Sequence, residues 1–258
     1  MRLKSSIRIH TNMNPRDSRS PAAGILAGLV LSACGGGGSG NSNPTPSPQG
    51  SYDLQVAMTS LVKSGLSTNV NLSGTAIVNG TSNPFTGTGT LTLSAGVSGM
   101  FNGTMAQLQT QSISGTVTVA GQTSPYNSSV VNAYEPATAA IVGESQSTEF
   151  DVAQQPIMIP TVVGTSVTML GTLSRYSDST LSVALGTLQV SVAVMLIPVD
   201  PGSQEVVQFT YKVYNTSQAL VETDTVSYNL TENNLLSFNS AATQNTSGKL
   251  TVTPQLAQ

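Results

Sequence analysis

The sequence predicts an all-β fold, mainly antiparallel and sandwich-like, with one short helix at its start. Three observations lead there. From Asn69 onward, short runs rich in Thr, Val, Ser and Gly alternate polar and apolar residues, the pattern of strands with one buried and one wet face. Turn pairs such as Asn79-Gly80 and Pro201-Gly202 punctuate those runs. Helical spacing, by contrast, is confined to one short stretch near residue 60.

The helix is expected over residues 53–63. Leu54, Ala57, Met58, Leu61 and Val62 fall near one face, Asp53 is placed to cap the start, and Gly65 marks the end. Strands follow in order. Residues 70–78, 89–94, 112–119 and 167–173 each alternate, and Gly87-Thr88-Gly89 and Gly96 to Gly99 read as turns. Residues 188–197 form the most apolar run after the N-terminal segment, a central core strand ending at Pro198. Residues 206–214 return as its antiparallel partner, with Phe209, Tyr211 and Val213 on one face. Further strands are expected at 223–230 and 249–253, and the small polar residues 239–247 read as a surface loop.

One segment recurs. Residues 72–85 align without a gap onto 113–126 at an offset of 41, sharing Ser, Gly, Thr, Val, Gly and Pro positions and ending in Phe85 and Tyr126. Each copy predicts a strand, a glycine turn at Gly80 or Gly121, and a proline corner that sends its aromatic into the core. Two copies cannot close a propeller, so a duplicated β unit within one sandwich fits better.

The N-terminus carries a different signal. Arg2, Lys4, Arg8, Arg16 and Arg19 precede an apolar run of 12 residues, Ala22 to Ala33. A basic start, a short apolar stretch and a small-residue exit make a signal peptide; a membrane-spanning helix needs roughly 20 apolar residues. Met13 is an alternative start that keeps Arg16 and Arg19. The end of the run, Leu31-Ser32-Ala33-Cys34, resembles the lipobox of bacterial lipoproteins. That resemblance implies a diacylglycerol on the Cys34 sulfur and cleavage that leaves Cys34 as the new N-terminus. With Gly35 and Gly36 after it, rather than aspartate, it also implies sorting to the outer membrane. It says nothing about the rest of the chain. Residues 1–33 are therefore read as signal peptide, and 34–50 as the lipidated cysteine with a Gly/Ser/Pro-rich linker. Residues 51–258 are the β-rich part, either one domain or two packed units, 51–140 and 141–258. As a flexible chain of roughly 5 Å × √n, the linker would hold that part roughly 20 Å from the lipid.

Composition narrows the chemistry. From Cys34 on, four basic residues face eleven acidic ones, a net charge of −7. Lys63, Arg175, Lys212 and Lys249 are scattered, so they build no phosphate-binding footprint and no nucleic-acid partner is expected. The single histidine, His10, leaves with the signal peptide, and Cys34 is the single cysteine. A Ser-His-Asp triad, a Cys-His pair and histidine- or thiolate-based zinc sites are thereby excluded; no cofactor is expected. Ser60 and Lys63 share the Ser-x-x-Lys spacing of penicillin-binding proteins and β-lactamases, but that family's Ser-Asp-Asn and Lys-Thr-Gly partners do not occur.

The densest acidic group, Glu144, Glu149 and Asp151, is the one candidate for carboxylate chemistry or a calcium site; otherwise it is solvated charge on a loop. Tyr126, Tyr134, Tyr176, Tyr211, Tyr214 and Tyr228 are available for ligand contact or for the core. The expectation is a lipid-anchored envelope protein with a structural or binding role. Its partners would be the membrane, through lipid on Cys34, and an envelope protein or glycan. The alternative is a carboxylate-dependent hydrolase such as a glycosidase.

Overall fold

The computed structural model describes residues 53–78, 80–198, 203–231 and 233–255; the signal peptide, Cys34 and the linker lie outside them. Among the described residues there are one helix and thirteen strands. They are α1 (Leu54–Ser64), β1 (Leu66–Val78), β2 (Thr81–Leu93), β3 (Val97–Phe101), β4 (Thr104–Val119), β5 (Gln122–Tyr134) and β6 (Ile141–Gln146). The series continues with β7 (Glu149–Ile157), β8 (Thr168–Tyr176), β9 (Ala184–Pro198), β10 (Ser203–Tyr214), β11 (Leu220–Leu230), β12 (Leu236–Asn245) and β13 (Gly248–Pro254).

The sandwich expectation is overturned. Every neighbouring pair is antiparallel, β13 returns to β1, and β2 pairs with β4, so twelve strands close into a barrel. The short β3 lies outside the ring, paired with the first part of β4. Closure depends on glycines, among them Gly87 and Gly89, whose spacing suggests a turn. Gly87 and Gly89 sit inside β2, and Gly89 stands directly opposite Gly115 of β4. A Cβ on Gly115 would lie 2.2 Å from the Thr88 carbonyl oxygen, and one on Gly89 2.6 Å from that of Ser114. With no side chains there, the two backbones approach closely enough for the sheet to curl sharply, the role of strand glycines at barrel corners.

The duplicated segment builds this corner. Its two copies are the β1–β2 and β4–β5 hairpins, the second closed by a two-residue turn at Ala120-Gly121. Gly80 and Gly121 both take positive φ, 75° and 79°. The registers match: Gly74 faces Phe85 and Thr75 faces Pro84, as Gly115 faces Tyr126 and Thr116 faces Pro125. Both aromatics are buried. Pro84 lies just outside the β2–β4 ladder, and Pro125 lies on a stretch of β5 that β6 does not reach, positions where a missing N–H does no harm.

Other expectations hold in detail. Asp53 caps α1 by accepting from the Val56 N–H at 3.0 Å, and Gly65 (φ 71°) ends it, as the cap residues predict. The five expected apolar positions are the buried ones. The β9–β10 hairpin forms, with Phe209, Tyr211 and Val213 buried; its turn, with Pro201-Gly202, lies outside the described residues. Residues 239–247, read as a loop, instead fall largely in β12, where small Ala241 and Thr243 are buried against β11 and β13. Their size conceals the alternation.

The barrel is full. Phe85, Tyr126, Tyr134, Phe209, Tyr211 and Tyr228 pack inward with the Leu and Val rows. The helix lies across one mouth. At its start the Asp53 N–H donates to Asn234 Oδ1 at 2.7 Å and the Leu54 N–H to the Thr161 carbonyl at 2.9 Å. At its end the Gly96 N–H donates to the Val62 carbonyl and Gln109 Nε2 to that of Leu61. Much of the outer face of β1, β2 and β4 is polar, with Ser67, Asn69, Asn71 and Ser73 on β1, Thr86, Thr88 and Thr90 on β2, and Ser114 and Thr116 on β4, whereas Ala106, Ala133 and Val152 form a buried apolar cluster with Phe101 of β3. Barrels that cross an outer membrane show the reverse, an apolar outer band around a polar lumen.

Candidate functional site

Two places in this frame could carry function: a polar row inside the barrel and a groove on its outer wall. The inner row is set by register. Gln109 of β4 stands opposite Asn132 of β5, Asn132 opposite Glu144 of β6, Glu144 opposite Asp151 of β7, and Asp151 opposite Arg175 of β8. All five are buried. The two-residue period places Glu149 on the same face as Asp151. Arg175 binds both, Nη2 to Glu149 Oε2 at 2.6 Å and Nε to Asp151 Oδ1 at 3.4 Å.

The expected acidic cluster is therefore real, but it lies on strands rather than a loop, and two of its three acids are buried. Glu144 is 5% exposed and Asp151 1%; Glu149 keeps a quarter of its side-chain surface. Among the described residues no group of three or more His, Cys, Asp or Glu is arranged to hold a metal ion. Arg175, one scattered cation in the sequence, is the counter-ion that makes this burial tolerable. The signal for it was local: two acids two residues apart in a strand, with an arginine in the next strand.

Three tyrosines extend the polar interior. Burial pushes the phenols of Tyr134, Tyr211 and Tyr228 upward, and nearby Glu144 adds to the shift on Tyr134. For Tyr211 the neighbouring groups are Tyr134, Tyr228, Glu144 and Asp224. Tyr126 is buried with them, while Tyr176 and Tyr214 are half-buried, so four of the six candidate tyrosines belong to the core. Ser60 is half-buried and Lys63 exposed in the last turn of α1.

The outer groove arises where β7 parts from β8. Their ladder covers only residues 150–153 of β7 and 173–176 of β8. Beyond it β7 arches: Ile141 pairs with Ile157 and Gly143 with Val152, so residues 153–156 have no counterparts on β6 beyond Val142. On the other bank β8 carries an extra residue, Leu170, between its partners on β9. The gap is sealed on the inside by Ile157, whose side chain fills the space a Gly171 Cβ would take, 2.8 Å from its Cγ1. On the outside it forms a groove of about 650 Å³. Amides of Gln154 and Gln155, hydroxyls of Thr172 and Ser174, and the apolar Met158 and Leu170 line it. Nothing in the sequence marked it, because a missing ladder leaves no local pattern.

Comparison with known proteins adds little. No family model matches the chain, and no curated protein matches it. One similar solved structure is a Bacteroides fragilis protein with a YmcC-like fold, provisionally assigned as exported. It is 10% identical over 72% of this chain and 92% of that one, with a TM-score of 0.21. A superposition that weak carries no argument about fold or activity.

Proposed function

We propose that this is an exported, lipid-anchored protein of the bacterial cell envelope, tethered through Cys34 to the outer membrane. Its barrel does no chemistry and binds partners on its outer surface. The observation that carries the reading is the exposed polar face of β1, β2, β4 and β5, set over an interior of buried side chains, most of them apolar. Such an outer face suits water rather than lipid. An anchor and a linker are what a protein of this kind needs to stay at a membrane.

The burial of the acids supports binding over hydrolysis. A glycosidase needs two carboxyl groups reaching the same sugar bond, roughly 5–10 Å apart. Glu144 and Asp151 are enclosed in the wall, and Asp151 is paired with Arg175.

Replacing the lipid acceptor tests the reading. Cys34→Ser is expected to move the protein from the detergent-extracted membrane fraction to the soluble fraction, or to leave it as an uncleaved precursor. Unchanged membrane retention together with normal cleavage would reject lipid anchoring.

A further inference from the structure

We propose that the groove between β7 and β8 binds an extended, uncharged polypeptide segment of a partner protein, which adds its backbone to the open strand edges there. The inference rests on the reading of the barrel as a binding module and names its site and ligand class.

The backbone supplies the first argument. Residues 168–172 of β8 pair with β9 on one side, while their other side faces the groove without a ladder. Residues 154–156 of β7 likewise have no partner strand on the groove side. Strand edges left open in this way are templates for an added strand, and backbone hydrogen bonds give such complexes much of their affinity. At roughly 3.3 Å per residue, the open edge of β8 offers about 16 Å. A volume of about 650 Å³ is in the usual range for a ligand site, roughly 300–1,000 Å³.

The lining chooses the ligand. None of its residues is charged and none is aromatic. A phosphate, a carboxylate or a basic peptide would lose its hydration with no ion pair in return, and a sugar would find no ring to stack on. Amides and hydroxyls beside Met158 and Leu170 suit peptide groups and small apolar side chains. The rim extends this surface, since Met158, Val162, Val167 and Met169 are all more than half exposed. Ile157 over Gly171 bars entry to the barrel interior, so the ligand stays in the wall.

The test uses the purified full-length protein and a random nonapeptide library displayed on phage. Enriched peptides are expected to have an uncharged, alternating centre. When synthesised, they should slow amide hydrogen exchange at residues 154–157 and 168–172. Methylating alternate peptide nitrogens should weaken binding at least tenfold, because the donors are lost. Met158→Asp, at an exposed position, should do the same while the far-UV spectrum stays unchanged.

Failure to enrich any peptide, protection confined to another part of the barrel, or undiminished binding of the N-methylated peptide would each overturn the proposal. So would an intramolecular crosslink showing that this chain's own residues 35–50 fill the groove. None of these outcomes bears on Cys34, so a failed groove and a failed anchor are told apart.

Discussion

Above about pH 10 the barrel is expected to unfold over a narrow pH range, driven by three buried tyrosines. A free phenol ionises near pH 10. Inside the barrel, burial raises Tyr134, Tyr211 and Tyr228 well above that value, because the phenolate would lose its hydration. Below about pH 10 the phenols are protonated in both states, and the stabilisation is fully present. As pH rises toward the folded values, the unfolded chain releases these protons and the folded one does not. Stability then falls by about 1.4 kcal/mol per pH unit for each tyrosine, about 4 kcal/mol per unit for the three. Against a total of about 5–15 kcal/mol, two pH units are enough for global unfolding. Absorbance at 295 nm should show three tyrosinates forming in step with the loss of the far-UV β signal. Reversible ionisation of every tyrosine with the β signal intact would mean that water reaches the barrel interior.

Arg175→Met is expected to cost about 3–5 kcal/mol at pH 7, the usual penalty for leaving a buried charge without its partner. The buried charge that loses its counter-ion is Asp151, at 1% accessibility; Glu149, a quarter exposed, can be hydrated. Methionine keeps much of the arginine's apolar volume, so most of the loss is electrostatic. Pairing it with Asp151→Leu should recover more than half, because an apolar pair of similar size often replaces a buried ion pair at little cost. Urea unfolding of the wild type, both single variants and the double variant closes the cycle. A single-variant loss under about 1 kcal/mol, the scale of a surface ion pair, would show that this pair is solvated.

What the sequence could express was local. The helix was legible because Asp53, Gly65 and five apolar positions at helical spacing agree with one another. The two copies of the hairpin were legible because their strands, turns and prolines repeat at a fixed offset. Closure was not, since it depends on the pairing of β2 with β4 and on Gly89 standing opposite Gly115 in space; along the chain Gly87-Thr88-Gly89 looks like a turn and Gly115 like an ordinary strand residue. β12 was missed because Ala241 and Thr243 are too small to mark a buried face. The acids 144–151 were legible as a cluster but not as an interior one. The burial of Asp151 is offset by Arg175, 24 residues beyond it in the chain and opposite it in the ladder.

Site-specific labelling in native envelopes bears most directly on the central claim, that a water-facing barrel is held at the membrane by its N-terminal lipid alone. Single cysteines placed at the outward positions Asn71, Thr88, Thr116 and Ser129 are offered a membrane-impermeant maleimide after the envelope is opened, and a fluorescent probe on each is then exposed to lipid-borne quenchers. Rapid labelling at all four, and no quenching by the lipid, is the expected result. A band of positions that resists the maleimide and is quenched from the bilayer would contradict it, because the wall of the barrel would then lie within the membrane.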